Sequence, residues 1–165
     1  MPILNDNLFE FFSHSAEQTQ RLGIHLGPHL RPGDTVCLEG NLGAGKTTLI
    51  QGIASGWGAL DPVSSPTYVI VNEYRRADRA RLFHVDAYRL ENSMEADFLD
   101  FDRMLAQGPI VVEWAERIRA ILPADHLWIN LEYTGLEHRA MMLTPNGKHY
   151  QNIIEDLRRK LYGDF

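Results

Sequence analysis

A lysine, a pair of threonines and two well-placed carboxylates in this sequence have the types and spacing to handle a nucleoside triphosphate. The run Gly40-Asn41-Leu42-Gly43-Ala44-Gly45-Lys46-Thr47-Thr48 has the form G-x-x-x-x-G-K-T. In such a loop the glycines let successive backbone N–H groups converge on phosphate oxygens. The cradle spans Leu42, Gly43, Ala44, Gly45, Lys46, Thr47 and Thr48. Lys46 would bridge the outer phosphates as a point charge, and the Thr47 hydroxyl would ligate the Mg²⁺ that a triphosphate brings. Hydrolysis needs two more groups: a metal-directed carboxylate, usually at the end of an apolar strand, and one that positions the attacking water. Glu113 after Ile110-Val111-Val112 and Asp86 after Leu82-Phe83-His84-Val85 both meet the first need. The plain alternative for each is a carboxylate that caps the element after it. Thr67, next to Pro66, could reach the metal from a loop that orders around the γ-phosphate.

These groups need elements to carry them. Thr35-Val36-Cys37-Leu38 reads as a buried strand leading into the loop, and Leu49, Ile50, Ile53, Ala54 and Trp57 recur at helical spacing after it. Val69 to Tyr74 and Arg81 to Val85 read as a hairpin, which puts Thr67 and Asp86 at the same sheet edge. If the second of these strands runs parallel to the phosphate-loop strand, both residues face the nucleotide, because ligands sit beyond the carboxyl ends of parallel strands. Glu113-Trp114-Ala115-Glu116 follows the apolar strand at 110–112, and a charged helical piece then runs to Ile121-Leu122.

Around this centre, Phe9 to Phe12 suits an edge strand, and Ser15 with Gln18 has the form of a capping box. A helix carries Thr19, Leu22, Gly23, Leu26 and Leu30, and Pro28 should end or kink it near Gly27. Residues 94 to 106 suggest one or two short helices broken near Asp100. Leu127 to Leu131 and Arg139 to Thr144 read as a second hairpin, and Ile153, Ile154, Leu157 and Leu161 as the stripe of a last helix. The pattern predicts an α/β fold: a single P-loop NTPase domain over residues 1–165, with a central mixed β-sheet flanked by helices.

Composition narrows the function classes. The chain has 165 residues, 44% hydrophobic and 23% charged, and its net charge of -6 argues against a free-standing nucleic-acid binder. No apolar run approaches the roughly 18 residues that would span a bilayer, and the N-terminus lacks the pattern of an export signal, so a cytoplasmic location without membrane contact is expected. The lone Cys37 is expected to pack, the seven histidines show no ligand spacing, and Trp114 could lie beside the site or cover the core, with spacing in favour of the core. Arg75, Arg76, Arg79 and Arg81 suit a solvated turn better than a lid or a docking patch.

With these residues in view, the chain resembles the TsaE family, the small ATPases of tRNA threonylcarbamoyladenosine biosynthesis. The resemblance runs from about Ser15 to Leu143. Besides the phosphate loop it rests on Ser64-Ser65-Pro66-Thr67-Tyr68, Asn72-Glu73-Tyr74, His84-Val85-Asp86-Ala87-Tyr88-Arg89-Leu90 and Glu113-Trp114-Ala115-Glu116. Asn41 stands where the family mostly has Asp and Ala115 where it often has Pro; neither removes a group the chemistry requires. The resemblance implies ATP and Mg²⁺ as ligands, with Lys46 and Thr47 on the phosphates and metal, Glu113 serving the metal, and Thr67 and Asp86 in the catalytic surroundings. It also implies Glu17 and the Gly135 region near the base. The partners it implies are TsaB and TsaD, with tRNA reached only through that pair.

Two rival readings use the same loop. A small-molecule kinase would need an acceptor pocket and usually an arginine-bearing lid, for which residues 75–81 are the only candidate. A GTP-dependent switch would typically carry Asn-Lys-x-Asp, which does not occur here. Between Asp86 and Glu116 the sequence leaves the water-positioning role open.

Overall fold

A computed structural model describes residues 8–41, 44–64, 70–90 and 99–162. Thr67, Leu42, Gly43, Val69, Met94 and Phe98, all used in the sequence reading, lie outside them. The described chain runs β1 (Phe9–Ser13), α1 (Ala16–Leu26), a 3-10 turn (Gly27–His29), β2 (Thr35–Glu39), α2 (Lys46–Trp57), β3 (Val71–Arg75) and β4 (Arg81–Asp86). It continues with α3 (Phe101–Gln107), β5 (Ile110–Glu113), a 3-10 segment (Ala115–Ile121), β6 (His126–Tyr133), β7 (Arg139–Asn146) and α4 (Lys148–Tyr162).

The strands form one sheet in the order β1-β7-β6-β2-β5-β4-β3. β2 is parallel to β5 and β6, and β4 is parallel to β5, while β3 and β7 run the other way against their neighbours. This is the mixed α/β sheet that the sequence predicted. The carboxyl ends of β1, β2, β4, β5 and β6 therefore share one edge, where ligands of such sheets bind.

Strand alternation divides the core between the two faces. Val36, Leu38, Leu82, Val111, Leu127 and Ile129 pack on one face with Leu22, Leu26, Leu49, Ile53, Ile153 and Leu157 from α1, α2 and α4. Cys37, Phe83, Val85, Ile110, Val112 and Trp128 point to the other, against Phe101, Met104 and Ile118. Cys37 is fully buried, and burial pushes its thiol up to about 12, which suits packing rather than reactivity.

The local signals act largely as read. The Ser15 hydroxyl accepts the Gln18 N–H at 3.2 Å and caps α1, while the Gln18 side chain reaches back to the His14 N–H at 2.7 Å, one residue earlier than in a capping box. Pro28 ends α1 in the 3-10 turn. The break expected near Asp100 is there: the helix starts at Phe101, because Asp100 sits at φ 56 and cannot continue a right-handed turn. One element differs. The charged piece after β5 is a 3-10 segment kinked at Ile118, tied short by the need to bury Ala115 and Ile118 under the strand ends.

α1 lies directly on α2. A Cβ on Gly23 would stand 2.6 Å from both the Ile53 nitrogen and the Leu49 carbonyl oxygen. Gly27, Gly52 and Gly56 are equally tight against the opposing backbone. Gly23→Ala is therefore expected to destabilise by about 1–3 kcal/mol despite alanine's better helix propensity. Denaturant unfolding would measure this, and a gain in stability would disprove the contact.

Candidate functional site

The site is assembled where α2 starts. Gly45 occupies the N-cap position at φ 95, in the left-handed region that glycine adopts without strain, and having no side chain it makes no cap hydrogen bond of its own. Lys46 opens the helix and is almost fully buried, at 6% exposure. Its ammonium donates to the carbonyl oxygens of Gly40 and, at 3.4 Å, Asn41, and it lies 3.8 Å from the centre of the Trp114 ring. Burial holds its pKa below the ordinary lysine value, against the pull of Glu113, Glu116 and Asp86.

A cleft of about 410 Å³ opens beside it. Its walls are Ala44 to Thr48 on one side, with Asp86, Tyr88, Glu113, Trp114 and Arg139 completing it. Of the residues read from sequence as cradle, metal ligand or catalytic group, the structure thus brings Ala44, Gly45, Lys46, Thr47, Thr48, Asp86 and Glu113 together.

The two carboxylates end parallel neighbours, and Asp86 pairs with Glu113 across β4 and β5. Their surroundings differ. Glu113 is 5% exposed, and its Oε2 accepts from His84 Nε2 at 2.7 Å. Asp86 is half-buried, and its Oδ1 accepts the Tyr88 N–H at 2.9 Å, so the capping alternative holds for one of its oxygens. Burial, reinforced by Glu113, pushes the Asp86 pKa up against that hydrogen bond. Glu116 is also pushed up, by burial and by Glu39, and its buried Oε2 has no partner. It stands near Lys46 but is not a wall of the cleft.

The raised Asp86 pKa makes a stability prediction. The folded state disfavours its charge, so stability is present with the carboxyl protonated and falls as pH rises from the ordinary carboxylate range through the higher folded value. Asp86→Asn is expected to raise the melting temperature of the ligand-free protein at pH 7, and the advantage should vanish near pH 3. Thermal melts of both proteins at the two pH values would check it.

Some contacts at the cleft were only partly legible. Trp114 covers the core, as expected, by packing against the second cluster, and it also lies beside Lys46. It adopts φ 57, a left-handed conformation costly for a bulky residue, and this turn brings its ring under the ammonium directly after Glu113. Arg139 opens β7. Its Nη1 donates to the carbonyls of Gly135, Leu136 and His138 at 3.2, 3.3 and 3.0 Å, its plane lies over Tyr133, and its buried Nε has no partner. Gly135 is thus tied to the cleft through Arg139, while itself lining a neighbouring hollow with His14 and His138. Glu17, exposed in the first turn of α1, is at the same sheet edge and lines neither space.

Thr67 lies outside the described residues, but the chain re-enters beside the site: the Ile70 carbonyl accepts the Asp86 N–H at 2.9 Å. The arginine-rich turn lies at the opposite sheet edge. There Arg75 pairs with Asp61 at 2.9 Å, Arg76 with Asp78 at 2.9 Å and Arg81 with Glu73 at 2.5 Å, so it cannot serve as a lid on this cleft.

A model of the family described as threonylcarbamoyl adenosine biosynthesis protein TsaE matches residues 13–141. The chain belongs to the TsaE family. The TsaE protein of Bacillus subtilis is 38% identical over 143 residues, 87% of this chain and 89% of its own. Those of Nostoc sp. and Mycobacterium leprae are 36% and 44% identical, covering 85% and 70% of this chain and 88% and 77% of theirs. The crystal structure of Bacillus subtilis YdiB superposes with a TM-score of 0.76 at 31% identity, over 93% of this chain and 95% of that one. The span matched by the TsaE family takes in every wall of the cleft and stops inside β7, leaving α4 beyond it.

Proposed function

We propose that the chain is a Mg²⁺-dependent ATPase of tRNA threonylcarbamoyladenosine biosynthesis, working in the cytoplasm with TsaB and TsaD and reaching tRNA through them. The observation that carries this is the convergence of Lys46, the glycine-led start of α2 and the Asp86–Glu113 pair on one cleft in a member of the TsaE family.

The donor set fits a metal-bound triphosphate. Amide N–H groups and a buried ammonium suit phosphate oxygens. Thr47 and Glu113 supply a hydroxyl and a carboxylate for the metal, whose other ligands would be phosphate oxygens and water. When bound, Mg²⁺ would neutralise charge on the β- and γ-phosphate oxygens. Lys46 would exchange its carbonyl acceptors for those oxygens. Asp86, a wall of the cleft with one oxygen outside its turn bond, is the better placed of the two candidates to orient water. Its raised pKa makes it a stronger proton acceptor, whereas Glu116 stands off the cleft. Water attacks the γ-phosphorus as the bridging bond to the β-phosphate breaks, giving ADP and phosphate. Glu17 and the Gly135 loop are assigned to the base side, and Thr67 to the γ-phosphate side.

The test is ATP hydrolysis by the purified protein, alone and with TsaB and TsaD from the same source. A low rate alone that rises with both partners supports the reading. Partners that neither bind nor change the rate overturn the coupling, and a nucleotide-dependent stabilisation larger with GTP than with ATP overturns the assigned base.

A further inference from the structure

We propose that His84 is a positioning residue for Glu113, held in its own orientation by Tyr74. This rests on the reading of Glu113 as the metal-directed carboxylate.

His84 is fully buried in the middle of β4, between Phe83 and Val85. A polar ring in such a place costs stability unless both nitrogens are bonded. Both are: Nε2 lies 2.7 Å from Glu113 Oε2, and Nδ1 lies 2.8 Å from the Tyr74 hydroxyl. A carboxylate only accepts, so Nε2 carries the proton given to Glu113, while Nδ1 is bonded to the Tyr74 hydroxyl. The Ser64 carbonyl oxygen lies 3.3 Å from the same hydroxyl.

Sheet register explains how the three residues meet. His84 is opposite Val111 on β5 and opposite Asn72 on β3. It therefore shares the face of Asp86, two residues on, and its ring reaches diagonally toward Glu113 on one side and Tyr74 on the other. A histidine retained only for packing could bond any two groups. This one binds a strand-end carboxylate that is a wall of the cleft.

The consequence is geometric. Glu113 ends its strand with three side-chain torsions, and an unanchored carboxylate there would have to be ordered on every binding event. Fixing Oε2 leaves Oε1 as the oxygen for a metal, in one orientation. Residues that hold metal-binding groups in this way typically change affinity or activity by about 10- to 100-fold when removed.

The experiment compares ATP-induced thermal stabilisation, and the derived affinity, in EDTA and in Mg²⁺ for wild type, His84→Leu, His84→Gln and Tyr74→Phe. Steady-state kcat and the Mg²⁺ concentration for half-maximal rate are measured alongside. In the wild type Mg²⁺ should strengthen ATP binding. His84→Leu should bind ATP in EDTA within about twofold of wild type, yet lose the Mg²⁺ increment by about 10-fold or more. His84→Gln, which returns an N–H donor toward Glu113, should recover most of it. Tyr74→Phe, which deletes one hydroxyl and keeps the ring, should shift in the same direction by a smaller factor; it decides the question if His84→Leu fails to fold. Variants that are less stable without ligand but keep the full Mg²⁺ increment overturn the inference and make His84 a core residue. A wild type without any Mg²⁺ increment overturns the ATPase reading itself, and this inference with it.

Discussion

Lys46→Ala is expected to weaken ATP binding by about 10- to 100-fold or more and nearly abolish turnover, while leaving the ligand-free protein about as stable as the parent. The ammonium is the single cation at the start of α2, and charge-assisted bonds to phosphate contribute about 1.5–3 kcal/mol each, so its loss weakens binding by about 10- to 100-fold or more. The stability side follows from the depressed Lys46 pKa. A lysine whose folded value lies below its unfolded value costs stability while it is charged in both states. That cost is relieved only as pH climbs through the folded value toward the ordinary one. At pH 7 to 8 the substitution removes the cost together with the bonds to Gly40 and Asn41 and the contact with Trp114, which oppose it. Calorimetric titration with MgATP and melts without ligand would measure the two halves. Turnover equal to wild type would remove Lys46, and with it the cleft, from the mechanism.

Glu113→Gln is expected to lower kcat by on the order of 100-fold while changing ATP affinity in EDTA by less than about threefold. Glutamine keeps the volume and offers His84 Nε2 a carbonyl acceptor, so the change removes charge with little damage to packing. Alanine would also strand the buried imidazole N–H, a cost of about 1–3 kcal/mol that would blur the result. Single-turnover hydrolysis and equilibrium binding, each with and without Mg²⁺, separate the steps. Equal loss of both would mark Glu113 as structural.

What the sequence could show was local. The phosphate loop is one uninterrupted run, and Asp86 and Glu113 each follow their own apolar strand, so type and spacing sufficed to place them. His84 was legible only as a polar residue inside an apolar strand. Its partners are 10 and 29 residues away, and only sheet pairing brings them to it. Arg139 arrives from the far hairpin, and the left-handed turn at Trp114 has no marker of the kind glycine provides. The end of β7 shows the same limit. A strand was expected over Arg139 to Thr144, yet β7 runs to Asn146, through Pro145, which has no N–H to donate to a ladder. Among the described residues, pairing with β1 covers Arg139 to Leu143, and Pro145 lies beyond it, opposite Leu127 of β6; proline is tolerated at such strand ends.

The glycine contact between α1 and α2 also fixes the length of a piece of chain that holds no catalytic group. Both helices start at the site edge, from the ends of β1 and β2, and the seam of Gly23 and Gly27 against Gly52 and Gly56 sets their rotation. One residue inserted between Glu17 and Gly23 would turn the segments on either side of it by roughly 100° relative to each other. Either the glycines would leave the seam or Ser15 and Glu17 would swing away from the edge where the phosphate loop begins. This stretch is thus as intolerant of insertions and deletions as the loop itself. The tip of the β3–β4 hairpin, Ala77 to Arg79, is exposed and should accept a change of length more readily.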